Sequence, residues 1–215
     1  ELFVEIANQE PGVDEYNQLV RLFQRREWDA FKLKLEIFKK VYESSPLMEA
    51  AHFLNVQAQL DQVPSTQNSG SSARNAEKMM RNTIFLYPNS SLIPAISVGM
   101  GAFLLRRREY SRALGLFRSL HEKYPDHDLQ CVFKVGMGES RFNINEWKES
   151  IEILSEVKNS CKNRRLKVAA LVRIADSLRS LQSKEAEAVY DQVMEEHFPV
   201  VDRFYKATLY NLGEL

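Results

Sequence analysis

Apolar residues along this chain recur at three- and four-residue intervals and do not alternate. Tyr110, Ala113, Leu114, Phe117, Leu120 and Tyr124 fall at i, i+3, i+4 and i+7 spacing, which lines them along one side of an amphipathic helix. Trp147, Ile151, Leu154 and Val157 draw the same stripe further on. A helix over 91–106 is expected just before the first stripe, carrying Ile96, Met100, Phe103 and Leu104. Arg107-Arg108-Glu109 alone separates that helix from the stripe opening at Tyr110, and so short a turn makes the pair antiparallel. The expectation is an all-α chain built from helical hairpins.

The pattern repeats. Val98-Gly99-Met100-Gly101 returns as Val135-Gly136-Met137-Gly138 after 37 residues, and as Val172-Arg173-Ile174-Ala175 after another 37. Glu109-Tyr110 returns as Glu146-Trp147, again 37 on, with Glu27-Trp28 as a third copy. Tyr87-Pro88, Tyr124-Pro125 and Phe198-Pro199 close units, the last 74 residues after the second. A proline there has no amide hydrogen to donate and restricts the residue before it, which helps end the helix. Gly101 and Gly138 lie on first helices, where a missing side chain lets the partner helix come close and compensates a propensity cost of about 1 kcal/mol.

Five hairpins and one leftover helix follow: units over 12–46, 47–88, 91–125, 127–162 and 164–199, then a helix over 201–215, all in a single domain 1–215. The first unit pairs helices over 13–25 and 28–43, and the second pairs 47–62 and 74–86. The serine-rich stretch 64–72 between the latter two reads as a flexible loop.

The order Gly101, Ala113, Phe117 and Pro125 resembles the tetratricopeptide repeat signature, with glycine in the first helix and alanine, aromatic and proline in the second. Gly138 matches the family glycine in the next unit, where Ser150 and Leu154 replace alanine and aromatic. Ala175, Ala186, Tyr190 and Pro199 fit a further unit with one residue deleted from its turn. The resemblance implies an α-solenoid of stacked hairpins in a right-handed superhelix, first helices lining the concave surface and second helices the convex one. By position in the repeat, Val98, Ala102 and Arg106 face the groove, then Val135, Glu139, Phe142 and Asn143, then Val172, Asp176 and Arg179. Mixed charge beside apolar atoms suits an extended peptide or a partner helix.

Composition narrows the partners. Lys plus Arg is 29 and Asp plus Glu is 29, a balance that offers no long-range attraction to a phosphate backbone, so nucleic acid is not expected. No run of about eighteen apolar residues spans a bilayer. The chain opens at Glu1 with no leader, which reads as a processed or trimmed product and is compatible with a lipid anchor upstream.

No nucleophile elbow, glycine-rich phosphate loop or His-x-x-x-His spacing occurs, so no enzyme activity, cofactor or metal is expected. The densest cluster of ligand-type residues, His121, Asp126, His127 and Asp128, shares one inter-hairpin turn, and helix capping by Asp126 or Asp128 is the preferred role. Arg106-Arg107-Arg108 and Lys162-Asn163-Arg164-Arg165 are short enough to serve as helix-end charges. Trp28, Tyr110 and Trp147 open second helices and are expected to pack in the core. Cys131 opens one helix of a hairpin and Cys161 closes the other, so their ends lie side by side. Two unpaired, half-buried thiols are the preferred state and a disulfide is the alternative.

The role expected is a non-catalytic protein-binding scaffold. Tyr87-Pro88-Asn89-Ser90-Ser91 and Lys123-Tyr124-Pro125 resemble phrases of periplasmic tetratricopeptide proteins, which points to a periplasmic or outer-membrane-associated cell-envelope assembly. An intracellular adaptor or trafficking-complex subunit has the same architecture, and so does the regulatory module of an enzyme whose catalytic domain lies outside these residues.

Overall fold

The structure, a computed structural model, describes residues 11–64 and 70–197. Among these residues it is all-α, ten helices without a strand. They are α1 (Val13–Gln24), α2 (Trp28–Val41), α3 (Met48–Gln62), α4 (Gly70–Leu86), α5 (Ile93–Arg106), α6 (Tyr110–Lys123), α7 (Gln130–Asn143), α8 (Trp147–Ser160), α9 (Arg164–Ser180) and α10 (Glu185–His197). The expected tail helix over 201–215 lies outside the described residues. One boundary needs correction. α4 begins at Gly70, so the end of the serine-rich stretch is helical where a loop over 64–72 was expected.

The chain divides into two compact units between Phe103 and Leu104. In unit 1, α1 packs on α2 and α3, α2 also meets α3, and α3 packs on α4. In unit 2, α6 packs on α7, α7 on α8 and α9, α8 on α9, and α9 on α10. Helix α9 therefore lies against both helices of hairpin α7–α8, and α10 packs on α9.

The turns inside hairpins share one geometry. Arg26, Arg108, Asn145 and Gln182 have φ of 59°, 61°, 63° and 55°, the left-handed region. The last three stand 37 residues apart (145 − 108 = 182 − 145 = 37). After each, an amide reaches back five residues: Glu109 to the Leu104 carbonyl at 2.9 Å, Glu146 to Arg141 at 2.9 Å, Ser183 to Leu178 at 2.9 Å. This Schellman-type closure satisfies carbonyls that a helix end leaves without partners.

The acid of each acid–aromatic pair then stands at the start of the second helix. Glu27, Glu109 and Glu146 make no side-chain cap bond. Each instead pairs with an arginine from the turn or the preceding helix: Arg25 at 3.9 Å, Arg107 at 2.7 Å and Arg141 at 2.6 Å. Trp28, Tyr110 and Trp147 are half-buried beside them, and the Trp28 ring meets Phe23 edge-on at 5.9 Å.

Between hairpins, Ser45 and Ser90 accept the amides of Leu47 and Leu92 at 3.2 and 3.0 Å. His127 Nδ1 takes that place before α7, accepting the Leu129 amide at 3.1 Å. The expected caps, Asp126 and Asp128, are both exposed, and α7 has no side-chain cap bond. The histidine, two residues ahead of the amide, fills the position that serine fills before α3 and α5 and that Asn163 fills before α9.

Close approach explains the glycines of α7. A Cβ on Gly138 would stand 2.4 Å from Leu154 Cγ, and one on Gly136 would stand 2.5 Å from the Phe117 ring. Ser150, where the family pattern has alanine, is fully buried and donates its hydroxyl to the Gly138 carbonyl at 2.9 Å. The departure from pattern thus carries its own hydrogen bond.

Candidate functional site

In unit 2 the first helices α7 and α9 carry seven of the groove residues that the repeat implies, none of them fully exposed. Val135, Glu139, Phe142 and Asn143 share one face of α7 by helical spacing. Val172, Asp176 and Arg179 do the same on α9.

These side chains are joined by a residue the repeat position did not single out. Arg173 donates from Nε to Glu139 Oε2 at 2.7 Å and from Nη2 to Oε1 at 2.9 Å, a bidentate grip between neighbouring first helices. Its third nitrogen, Nη1, bonds Asp176 Oδ2 at 3.0 Å. Its guanidinium carbon lies 4.2 Å from the centroid of the Phe142 ring, a cation–π contact. Asn143 Nδ2 donates to the Glu139 carbonyl and carboxylate at 2.8 and 3.0 Å. From below, the buried Tyr190 hydroxyl donates to Asp176 Oδ1 at 2.5 Å. Burial, then the hydrogen bond to that carboxylate, raises the Tyr190 pKa above its ordinary value, so it remains a donor.

The arrangement corrects two of the groove assignments. Val172 is 7% exposed and packs with Val168, Leu171 and Val193. Asp176 is 5% exposed, its carboxylate taken up by Arg173 and Tyr190. Both face the interior because α10 covers that side of α9. Val135 is half-buried against the cluster of Leu154, Ile174 and Tyr190. Glu139, Phe142, Asn143 and Arg179 stay partly accessible. On α5, Val98 is half-buried, while Ala102 and Arg106 are exposed.

The sequence did hold a signal for Arg173. It occupies the position filled by Gly99 and Gly136 in the two preceding copies, 74 and 37 residues earlier. A long cation where the repeat has no side chain marks a changed contact.

Behind this face, Cys131 and Cys161 form a disulfide with Cα atoms 5.9 Å apart. It ties the start of α7 to the end of α8, where two unpaired thiols were preferred from the sequence. In the turn before α7, the His121 ring bonds Gln130 Oε1 at 2.5 Å while the His127 ring holds the Leu129 amide. Among the described residues, no helix is long and apolar enough to cross a membrane.

The tetratricopeptide repeat family model matches residues 169–199, which take in most of α9 and all of α10. Within that stretch Ala175, Ala186 and Tyr190 are buried at the positions the family pattern assigns to packing. No curated protein matches the sequence significantly. Among solved structures, the chain is similar to the nearly identical TPR-like repeats of a Podosopora anserina protein assigned as a kinesin light chain. That similarity has TM-score 0.64 and 11% identity, over 89% of this chain and 97% of the other. A single-substitution variant of the same protein gives TM-score 0.64 and 11% identity, over 86% and 93%. At that identity the likeness concerns the fold. The chain is, by fold, an all-α array of tetratricopeptide-like helical hairpins.

Proposed function

We propose that this chain is a non-catalytic scaffold that binds a peptide or helix of a protein partner along the first-helix face of unit 2. Repeats of this fold generally mediate protein–protein interaction and are generally non-enzymatic, which is the coarse support. The observation that carries the finer reading is the pre-set Glu139–Arg173–Asp176 network under the Phe142 ring. It holds a carboxylate, a guanidinium and an aromatic in fixed, partly exposed positions, so little side-chain entropy is lost when a partner docks.

For location, we place the scaffold in a cell-envelope assembly, periplasmic or outer-membrane-associated. The Cys131–Cys161 disulfide supports this, because such bonds persist in oxidising compartments. Two reactive thiols on the denatured, unreduced protein would instead favour the intracellular adaptor.

Affinity capture from native extract tests the binding face, using Arg179→Glu and Asn143→Lys, which leave the Arg173–Glu139 pair in place. Loss of a captured partner with both variants is the expected result. Capture of the same proteins at undiminished yield would remove this face from consideration.

A further inference from the structure

Helix α2 is apolar on two sides, and the core accounts for one of them. Phe31, Leu35 and Phe38 are buried. Leu33, Ile37 and Val41, at four-residue steps, form a second stripe that stays exposed, Leu33 at 67% and Val41 at 64%. On α4, Phe85 is 85% exposed and its neighbour Leu86 is exposed too. Among the described residues, these five and Leu181 of the α9–α10 turn are the large apolar side chains left to solvent. Exposed apolar surface is thus confined almost wholly to the second helices of unit 1.

Positive charge gathers on the same two helices. α2 carries four lysines against Asp29 and Glu36, and α4 carries Arg74, Lys78 and Arg81 against Glu77. In unit 2 the second helices α8 and α10 have the opposite balance. α8 sets two lysines against Glu149, Glu152 and Glu156, and α10 has acids with no lysine or arginine. The chain as a whole is neutral, so the excess on α2 and α4 is local.

The two helices converge at their C-terminal ends. Lys39 of α2 and Leu86 of α4 line one cleft of about 330 Å³, with Asn55 of α3 and with Asn75, Lys78 and Asn82 of α4. Val41 ends α2 two residues after Lys39, beside the exposed Lys40. On α4, the exposed Lys78, Arg81 and Phe85 share one face by three- and four-residue steps. Apolar tips and cations therefore occupy one edge of unit 1.

Their projection indicates what they meet. A side chain as exposed as Phe85 is not seated in a groove of its own chain, so a protein partner would have to supply every hollow. The headgroup–acyl boundary of a bilayer admits such side chains without a preformed hollow. Lysine and arginine beside them reach anionic headgroups while their stems lie along apolar surroundings.

We infer that this edge of unit 1 docks on an anionic membrane surface. Val41, Phe85 and Leu86 enter the headgroup–acyl boundary, and Lys40, Lys78 and Arg81 face the headgroups. The inference does not depend on the first-helix face of unit 2. Arg179→Glu and Asn143→Lys report on that face alone, so the two failures are distinguishable.

The test is co-sedimentation of the whole chain with phosphatidylcholine vesicles and with mixed phosphatidylcholine–phosphatidylglycerol vesicles. The variants change exposed positions, and unchanged circular dichroism verifies folding. The expected result is sedimentation with the anionic vesicles and not with the neutral ones. Val41→Ser with Phe85→Ser should weaken partitioning at least tenfold, and so should Lys78→Glu with Arg81→Glu. Arg118→Glu with Lys162→Glu, the same change of charge at exposed positions of unit 2, should leave it near the parent. Equal weakening by that control would show attraction to charge in general and overturn the site. Failure to sediment with anionic vesicles, or sedimentation indifferent to the serine pair, would overturn it as well. Release by a hexaglutamate peptide would make an acidic protein the occupant, and release by millimolar phosphate a soluble anion. Either release would overturn the membrane assignment.

Discussion

Arg173 holds both carboxylate oxygens of Glu139, at 2.7 and 2.9 Å, across 34 positions of sequence. Two first helices in successive hairpins are thereby locked together by a charge pair whose members are 26% and 31% exposed. The same arginine neutralises Asp176, only 7% exposed at its side chain. Removing the cation should therefore cost more than removing one anion. Arg173→Met is expected to destabilise unit 2 by about 1–3 kcal/mol, since it removes the guanidinium that hydrogen-bonds both the Glu139 and the Asp176 carboxylate. Glu139→Gln should cost less. Urea melts of both variants decide the order, and the reverse order would show that Arg173 is incidental to stability.

The left-handed turn residues offer a route to higher stability. Arg108 and Gln182 carry φ of 61° and 55°, where an L side chain crowds the backbone and glycine does not. Arg108→Gly and Gln182→Gly should each raise stability by about 0.5–1 kcal/mol in thermal melts. Asn145→Gly should gain less, because asparagine tolerates that region. A gain from Arg108→Ala equal to that from Arg108→Gly would mean that φ is not the cause.

Close packing at Gly138 gives an opposite sign. Gly138→Ala should destabilise by about 1–3 kcal/mol despite alanine's better helix propensity, because the new methyl meets Leu154. Ser150→Ala removes one hydrogen bond yet restores the family residue, so roughly 1 kcal/mol or less is expected. Combined with Gly138→Ala, Leu154→Ala should cost less than it does alone, since the two volume changes offset each other. Strict additivity in denaturant melts would place the clash elsewhere.

Acid should reveal the Glu109 pair. Burial pushes its carboxyl up, but hydrogen bonds from Arg107 and Arg112 outweigh this and set the pKa below its usual 4.5. As pH falls, the unfolded chain takes up the proton first. The stability contributed by the ion is therefore present above about pH 4.5 and is lost as pH drops through the lower folded value. Glu109→Gln should thus be less stable than the parent at pH 7 and converge on it in strong acid. Parallel melting curves across that range would exclude the ion pair as the cause.

The disulfide closes a loop with sequence separation 30, which in the chain-entropy model contributes roughly 3 to 4 kcal/mol. Cys131→Ser with Cys161→Ser should lower the melting midpoint by a matching amount, and reductant should do the same to the parent only. Equal sensitivity of the double variant to reductant would show that another process is being read.

Much of this was legible in the residues. Helix positions followed from three- and four-residue apolar spacing, because burial along one side of a helix imposes that period whatever the neighbours are. Hairpin turns followed from the 37-residue return of Glu109-Tyr110 as Glu146-Trp147. The start of α4 was missed because glycine and serine are weak helix formers, yet Ala73 and Ala76 are buried on that helix. The left-handed turns were missed too, since arginine and glutamine give no local hint of positive φ.

By itself, then, the sequence determined the helices, their antiparallel pairing and their repeat, since each depends on spacings a few residues long. Tertiary structure alone decided that Asp176 turns inward, that Glu139 belongs to Arg173, that the two cysteines meet, and that lysines and asparagines of α2, α3 and α4 converge on one cleft. Those outcomes depend on how each helix is rotated about its axis against its neighbour and on which rotamer reaches across. Neither is encoded in spacing along one helix.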